Sequence, residues 1–323
     1  MKKKIQTLST CLLSLITAFY FANPALAEVK FSIDPSIVRI QVKPGKAITK
    51  AYTIQNYSNQ DKELIVRLVP FNKSDNKGNP IIDLKTNSDL LRYTTLSNTN
   101  IKFNEPFVLK SLSKEQIVLS ISIPENAEIE DLYATILVST YSNSLPGETP
   151  GTIISASIGS NLLLSVTQNI NPKTILKINN LKIVSKNYLK IGQKIIADNL
   201  SPLDFQAEIS NTGNHLAEIK GTATITKGQE SLAVFGILPQ YIISKNSRQI
   251  LDSKGSDTFT YKPSVLNIGP HKININIKSE NANTSNSLEI FFIPFKLIVA
   301  LLVTFTIFRQ IFKKKTESSV DNN

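Results

Sequence analysis

IVRIQVKPGKAITKAYTIQN, residues Ile37 to Asn56, decides the fold class. Val38, Ile40 and Val42 alternate with Arg39 and Gln41, and Ile48 to Ile54 resumes an extended run rich in Thr and Tyr. Successive side chains of a strand point to opposite faces, so a period of two buries one face and wets the other. Between the runs, Lys43-Pro44-Gly45-Lys46 is a turn. The pattern repeats outward from here. Ile117, Leu119, Ile121 and Ile123 alternate with other residues, serines among them, Tyr133 to Tyr141 is a further strand, and Ile273, Ile275 and Ile277 alternate with Asn274, Asn276 and Lys278. Turn-forming clusters punctuate the strands at Asn56–Asn59, Asp75–Pro80, Pro146-Gly147 and Gly269-Pro270. Many short strands separated this way predict antiparallel β-sandwiches.

The segment Asn169 to Lys173 (NINPK) reads as a boundary between a module over residues 28–168 and another over 173–290. At about 140 and 120 residues, each is long enough to close a core of its own. Asp131 and Tyr133 stand at the start of an apolar strand and predict a tyrosine corner, with the ring turned inward and the hydroxyl bonded back to the chain. Asn211-Thr212-Gly213-Asn214 follows Phe205, Ala207 and Ile209 and predicts a turn, Asn211 and Gly213 being tolerant of positive φ.

Both ends of the chain carry targeting signals. Three lysines, an apolar stretch and Ala25-Leu26-Ala27 form the pattern of a secretory signal peptide over residues 1–27, with cleavage between Ala27 and Glu28. Near the other end, Leu297 to Phe308 is uncharged and apolar on every side apart from Thr304 and Thr306. With Lys296 and Arg309 as interface anchors, residues 294–312 are expected to form a single transmembrane helix. Lys313, Lys314 and Lys315 would hold a cytoplasmic tail of residues 313–323 inside, leaving the rest outside a bacterial membrane. The expected fold is therefore all-β, two consecutive Ig-like antiparallel sandwiches followed by one C-terminal transmembrane α-helix.

Composition narrows the chemistry. Cys11 is the single cysteine and leaves with the signal, so disulfides and thiol catalysis are excluded from the mature chain. The formal charge is +11; without the three lysines of the signal and the net +3 from Lys296 onward, +5 remains. No basic stripe with interleaved aromatics points to nucleic acid. His215 and His271 are the only histidines and read as surface positions beside turns, which leaves a zinc site short of ligands. No G-x-S-x-G elbow or phosphate loop occurs. Asp75 to Asn79 (DNKGN) lacks the ligand ladder of a calcium loop and reads as a plain loop. No catalytic residue, metal or cofactor is expected.

The leader, FSIDPSIVRIQVKPGKAITKAYTIQNYSNQDKELIVRL, IPENAEIEDLYATILVST, ISNTGNHLAEIKGTATI and FFIPFKLIVALLV with its lysine tail together resemble the WxL-interacting proteins of Gram-positive bacteria. The resemblance implies two Ig-like modules, the first engaging peptidoglycan or a partner surface protein, and no catalytic residues. The function expected from it is a membrane-anchored, non-enzymatic binding protein of the cell envelope. Its partners would be a wall polymer or another surface protein, and the lipid bilayer through the helix. The alternative is a periplasmic-type chaperone that adds a strand to exported subunits.

Overall fold

A computed structural model describes residues 30–82, 85, 87–141, 156–169 and 172–320, with side chains as far as residue 310. Ala27 and Glu28, the expected cleavage site, lie outside the described residues, as do the side chains of Lys313, Lys314 and Lys315. The described residues are all-β apart from a one-turn helix, α1 (Asp89–Tyr93), and a terminal helix, α2 (Phe295–Val320).

The first sandwich faces a four-stranded sheet against a five-stranded one. The four-stranded sheet is β1 (Phe31–Asp34), β3 (Ala47–Asn56), β7 (Lys114–Ser122) and β5 (Thr94–Leu96), in that order. The other runs β2 (Ile37–Val42), β9 (Ser157–Val166), β8 (Asp131–Thr140), β4 (Lys62–Pro70) and β6 (Pro106–Leu109). The turn at Lys43–Lys46 therefore joins strands in different sheets. Val38, Ile40 and Val42 meet Tyr52 and Ile54 across one core. The period-two pattern holds on both strands because both line that core. Burial raises the Tyr52 phenol above its ordinary range. Contrary to a purely antiparallel expectation, β2 runs parallel to β9, Val38 opposite Leu162.

The second sandwich is built on a six-stranded sheet. Its order is β12 (Tyr188–Ile191), β13 (Lys194–Asp198), β21 (Asn283–Ile293), β20 (Gly269–Lys278), β16 (Ala217–Lys227) and β17 (Glu230–Ile242). Two three-stranded sheets complete it. One is β10 (Leu176–Ile178), β15 (Glu208–Asn211) and β18 (Asn246–Gln249); the other is β11 (Lys182–Ile183), β14 (Leu203–Gln206) and β19 (Phe259–Tyr261). Phe205 and Phe259 stack at 5.2 Å in its core beneath Ile273, Ile275 and Ile277. Here too one pair, β13 with β21, is parallel.

The expected single-pass membrane protein is corrected at α2. Among the described residues no helix is long and apolar enough to cross a membrane. The physical reason is the spacing of charge. Between Lys296 and Arg309 stand twelve uncharged residues, about 18 Å at 1.5 Å each, against a hydrocarbon core of about 30 Å. Lys296 does not behave as an interface anchor. Its ammonium donates to Asn187 Oδ1 at 2.7 Å and Ser201 Oγ at 3.0 Å, and lies 3.8 Å from the buried Asp198 carboxylate, which fastens the start of α2 to the second sandwich. Arg309 is exposed on the helix.

Candidate functional site

Four residues singled out in the sequence, Asp131, Tyr133, Asn211 and Gly213, come from different sandwiches and meet at one seam. β8 alternates as any strand does. Leu132, Ala134 and Ile136 enter the first core, which turns Tyr133 to the opposite face. That face is covered by the second sandwich, and Tyr133 packs there with Phe71, Leu163, Leu216 and Ile243, its ring 5.6 Å from that of Phe71. The ring, expected to turn into the core of its own module, thus turns into a contact between modules. The hydroxyl donates to Asp131 Oδ2 at 2.7 Å and accepts from the Ser244 amide at 3.1 Å. Burial, reinforced by the Asp131 charge, holds the phenol well above its usual range.

Asp131 is the hub. Its carboxylate is fully buried, accepts from the Leu216 amide as well as Tyr133, and lies 2.9 Å from His215 Nδ1. His215, expected at the surface, is mostly enclosed at this seam. The turn beneath it forms without positive φ at Asn211 or Gly213. Instead Asn211 Oδ1 accepts from Gly213 N at 3.0 Å, while Asn211 Nδ2 donates to the His215 and Ile242 carbonyls. Glycine at 213 leaves room there: a Cβ would lie 3.0 Å from the Ile175 nitrogen, a tight contact. The first sandwich repeats the device. Asn56 Oδ1 accepts from Ser58 N, and its Nδ2 donates to the Gln60, Leu109 and Lys110 carbonyls.

Two further contacts tie the seam. Arg39 on β2 reaches Glu218 and Glu280 of the second sandwich, each at 3.4 Å. The DNKGN loop folds around Asp75, which accepts from the Lys77 and Asn79 amides. That loop then receives the Gln249 amide on the Asn76 carbonyl at 2.8 Å. It is a docking element as well as a loop. Beside the seam opens a cleft of about 580 Å³ lined by Ile129, Gln168, Asn169, Lys173, Ile175 and Asn214, among others. His271, also expected at the surface, is buried: its Nδ1 donates to the Gly269 carbonyl and its ring meets Phe292 edge-on at 4.8 Å. No cluster of three or more His, Cys, Asp or Glu side chains suited to a metal occurs among the described residues.

The sequence reading passed over β17. This strand has thirteen residues and stands at the edge of the six-stranded sheet. β16 pairs with one side of it. On the other side, Leu238 N bonds the Leu251 carbonyl and Ile237 bridges Asp252, and no strand follows upstream among the described residues. Because Leu238 N points outward, period two turns Gly236 and Val234 to that same side, where Gly236 faces Ser253 and Val234 lies beyond the bridge. Ser231 to Gly236 has neither charge nor proline, and Val234 is 64% exposed. Phe235 meets Phe205 and Phe259 edge-on, pinning the strand to the core. The other outer strands are four residues or fewer, except β2, which has six. The signal was present in SLAVFG, an uncharged run long enough for a strand with nothing to guard its edge.

No family model and no curated protein matches this chain. Solved structures align along most of its length at low similarity. A chaperone–tip adhesion subunit pre-assembly complex from the archaic chaperone-usher Csu pili of Acinetobacter baumannii has 12% identity and a TM-score of 0.37, over 81% of this chain and 99% of that one. The class 5 fimbriae chaperone CfaA has 13% identity and a TM-score of 0.37, over 82% and 99%. The PapD-like domain 7 of human CEP192 has 12% identity and a TM-score of 0.30, over 46% and 94%. At such scores the likeness carries no argument about function.

Proposed function

We propose that this chain is a non-enzymatic binding protein that takes an extended segment of another exported protein as an added strand, in the manner of a chaperone. The observation that carries the reading is the outer edge of β17 upstream of its bridge to Asp252, from Glu230 to Phe235. Strand addition draws affinity from main-chain bonds and specificity from alternate side chains. This edge offers both, with an outward amide at Val234 on a strand anchored by Phe235. The test measures binding of a fluorescent peptide of alternating Val and Thr to the chain and to Val234→Pro. Proline removes one outward N–H without touching the bonds to β16. At least a tenfold loss of affinity at unchanged melting temperature is expected, and equal affinity would end the reading.

A second reading, a wall-polymer ligand, is favoured by the cleft beside the seam. Amide side chains at Gln168, Asn169 and Asn214 and the Lys173 ammonium line it, and such groups suit a hydroxyl- and amide-rich polymer. Sedimentation of the chain with purified wall sacculi tests it. Binding that survives raised salt and falls on Asn214→Ala supports the cleft, whereas binding abolished by salt reports only a basic surface on an anionic polymer.

A further inference from the structure

Where α2 leaves the second sandwich, a lysine amine, a carboxamide and a buried carboxylate meet. We propose that Lys296 and Asn187 are the site of an autocatalytic modification, an isopeptide bond between Lys296 Nζ and Asn187 Cγ, with Asp198 as the base that serves it.

The backbone sets the three groups side by side. β12, β13 and β21 are neighbours in the six-stranded sheet. The Asp198 amide bonds the Asn187 carbonyl at 3.0 Å, which continues the β12–β13 ladder by one residue. On its other side Asp198 lies opposite Ile293, and Lys296 follows in the first turn of α2. Paired strands thus place the carboxamide and the carboxylate, and a helix that starts where its strand ends places the amine. Lys296 Nζ donates to Asn187 Oδ1 at 2.7 Å. The carbon to be attacked is bonded to that oxygen, so turning the lysine stem carries the nitrogen from the oxygen to the face of Cγ.

The nitrogen must first lose a proton, because an ammonium has no free electron pair. Its side chain is half exposed, and the groups that take the proton stand beside it. Nζ donates to Ser201 Oγ at 3.0 Å, and that hydroxyl donates to Asp198 Oδ2 at 2.8 Å. Both bonds run the same way, from nitrogen through hydroxyl to carboxylate, while the direct distance from Nζ to Oδ2 is 3.8 Å. Asp198 is fully buried, and its Oδ1 has no hydrogen bond among the described residues. A buried carboxylate oxygen left unsatisfied calls for a reason, and a catalytic role is one.

A proton shift along this path leaves Lys296 as a neutral amine and Asp198 as an acid. The amine attacks Asn187 Cγ, forming the N–C bond and moving the carbonyl electron pair onto Oδ1. As that pair returns, the Cγ–Nδ2 bond breaks. Asp198 gives its proton to Nδ2, which leaves as ammonia and takes up the second amine proton. The products are one amide and one ammonium ion, with Asp198 again a carboxylate, and no oxidant or cofactor enters the balance. The bond closes a ring between residues 109 positions apart and ties the base of α2 to the strand β12. Nothing in this chemistry involves the edge of β17.

Mass spectrometry of the whole chain reads the bond directly. The native chain is expected to weigh one ammonia less than its sequence requires, and its proteolytic digest to contain a branched peptide holding both Asn187 and Lys296. Asn187→Ala and Lys296→Arg are each expected to have the full mass of their sequence and no branched peptide. Asp198→Asn keeps the shape of the side chain and removes the base; when folded by circular dichroism, it is expected to lack the bond. Should that variant fail to fold, Ser201→Ala interrupts the proton path alone and is expected to slow bond formation after cell-free synthesis by about tenfold or more. A native chain of full mass would overturn the proposal. So would loss of ammonia without the branched peptide, which reports cyclisation of an asparagine, or a branched peptide formed at the native rate in either folded variant.

Discussion

Tyr133 and His271 are each a buried ring with a polar atom that decides its effect on stability. Tyr133 donates to a fully buried carboxylate and accepts from Ser244 in the other sandwich. Tyr133→Phe keeps the ring against Phe71 and removes the oxygen, leaving the Ser244 amide without its acceptor. The expected loss is about 1–2 kcal/mol in denaturant melts of the whole chain; no change would mean that water replaces the hydroxyl without cost. His271 carries a proton on Nδ1 toward Gly269, and its Nε2 is buried without a partner. Burial accordingly lowers its pKa, so the unfolded chain binds a proton at a higher pH than the folded one. Stability from this group is present above the unfolded value of about 6.5 and is lost as pH falls through it toward the folded pKa. Melting temperature should therefore drop between pH 7.5 and 5 by more in the native chain than in His271→Phe, and equal drops would reject the assignment. Neither role was legible from the local sequence. Turn residues flank both histidines, and what buries them is a strand or a loop distant in the chain.

At the scale of elements, strands that line one core were legible with their facing, whereas for β8, buried on both faces, the strand was legible and its second cover was not. Val38–Val42 and Ile273–Ile277 alternate plainly because one face of each lies in a core. β8 and β9 read LYATILV and LLLSV, apolar but for Thr135 and Ser165, and such runs mark strands covered on both sides. The second cover is the other sandwich, which is why Tyr133 and Leu163 belong to the seam. The terminal helix failed for a different reason: apolar character was extended across Lys296, which the second sandwich holds by its ammonium. A further element-level consequence lies at Gly221 on β16, beside the register shift with β17. A Cβ there would lie 2.1 Å from the Asn276 carbonyl oxygen of β20, a main-chain atom in the middle of the sheet. Gly221→Ala should force β16 and β20 apart and cost roughly 2–4 kcal/mol, far above the few tenths expected from strand propensity alone. A melt within 0.5 kcal/mol of the native chain, on the order of an ordinary surface change, would show that the sheet yields there at little cost.

Across the whole molecule, two cores that are separate in sequence are joined by polar contacts at Asp131, Arg39 and Asn76. One core draws on residues from Phe31 to Val166, the other on residues from Ile178 to Phe292. Each has enough buried apolar surface to unfold as a unit, so what couples them is the seam. Arg39 with Glu218 and Glu280 contributes little to that coupling, because both glutamates are about half exposed and such pairs are worth at most about 1 kcal/mol. Asp131 differs: fully buried, it accepts from Tyr133 and the Leu216 amide and faces His215 Nδ1. Asp131→Ala leaves those groups enclosed without an acceptor, at about 1–3 kcal/mol for each group stranded. The part of the loss at His215 and Leu216 falls on the contact between sandwiches, since both lie in the second one. Calorimetry of the native chain should show one transition in which both sandwiches melt together. In Asp131→Ala it should resolve into two, with the sandwich of lower intrinsic stability moving down in temperature and the other staying near its place. Arg39→Ala should leave the single transition intact. A single transition shifted as a whole in Asp131→Ala would mean that the apolar seam of Phe71, Leu163, Leu216 and Ile243 suffices for coupling, and that Asp131 adds stability without adding cooperativity.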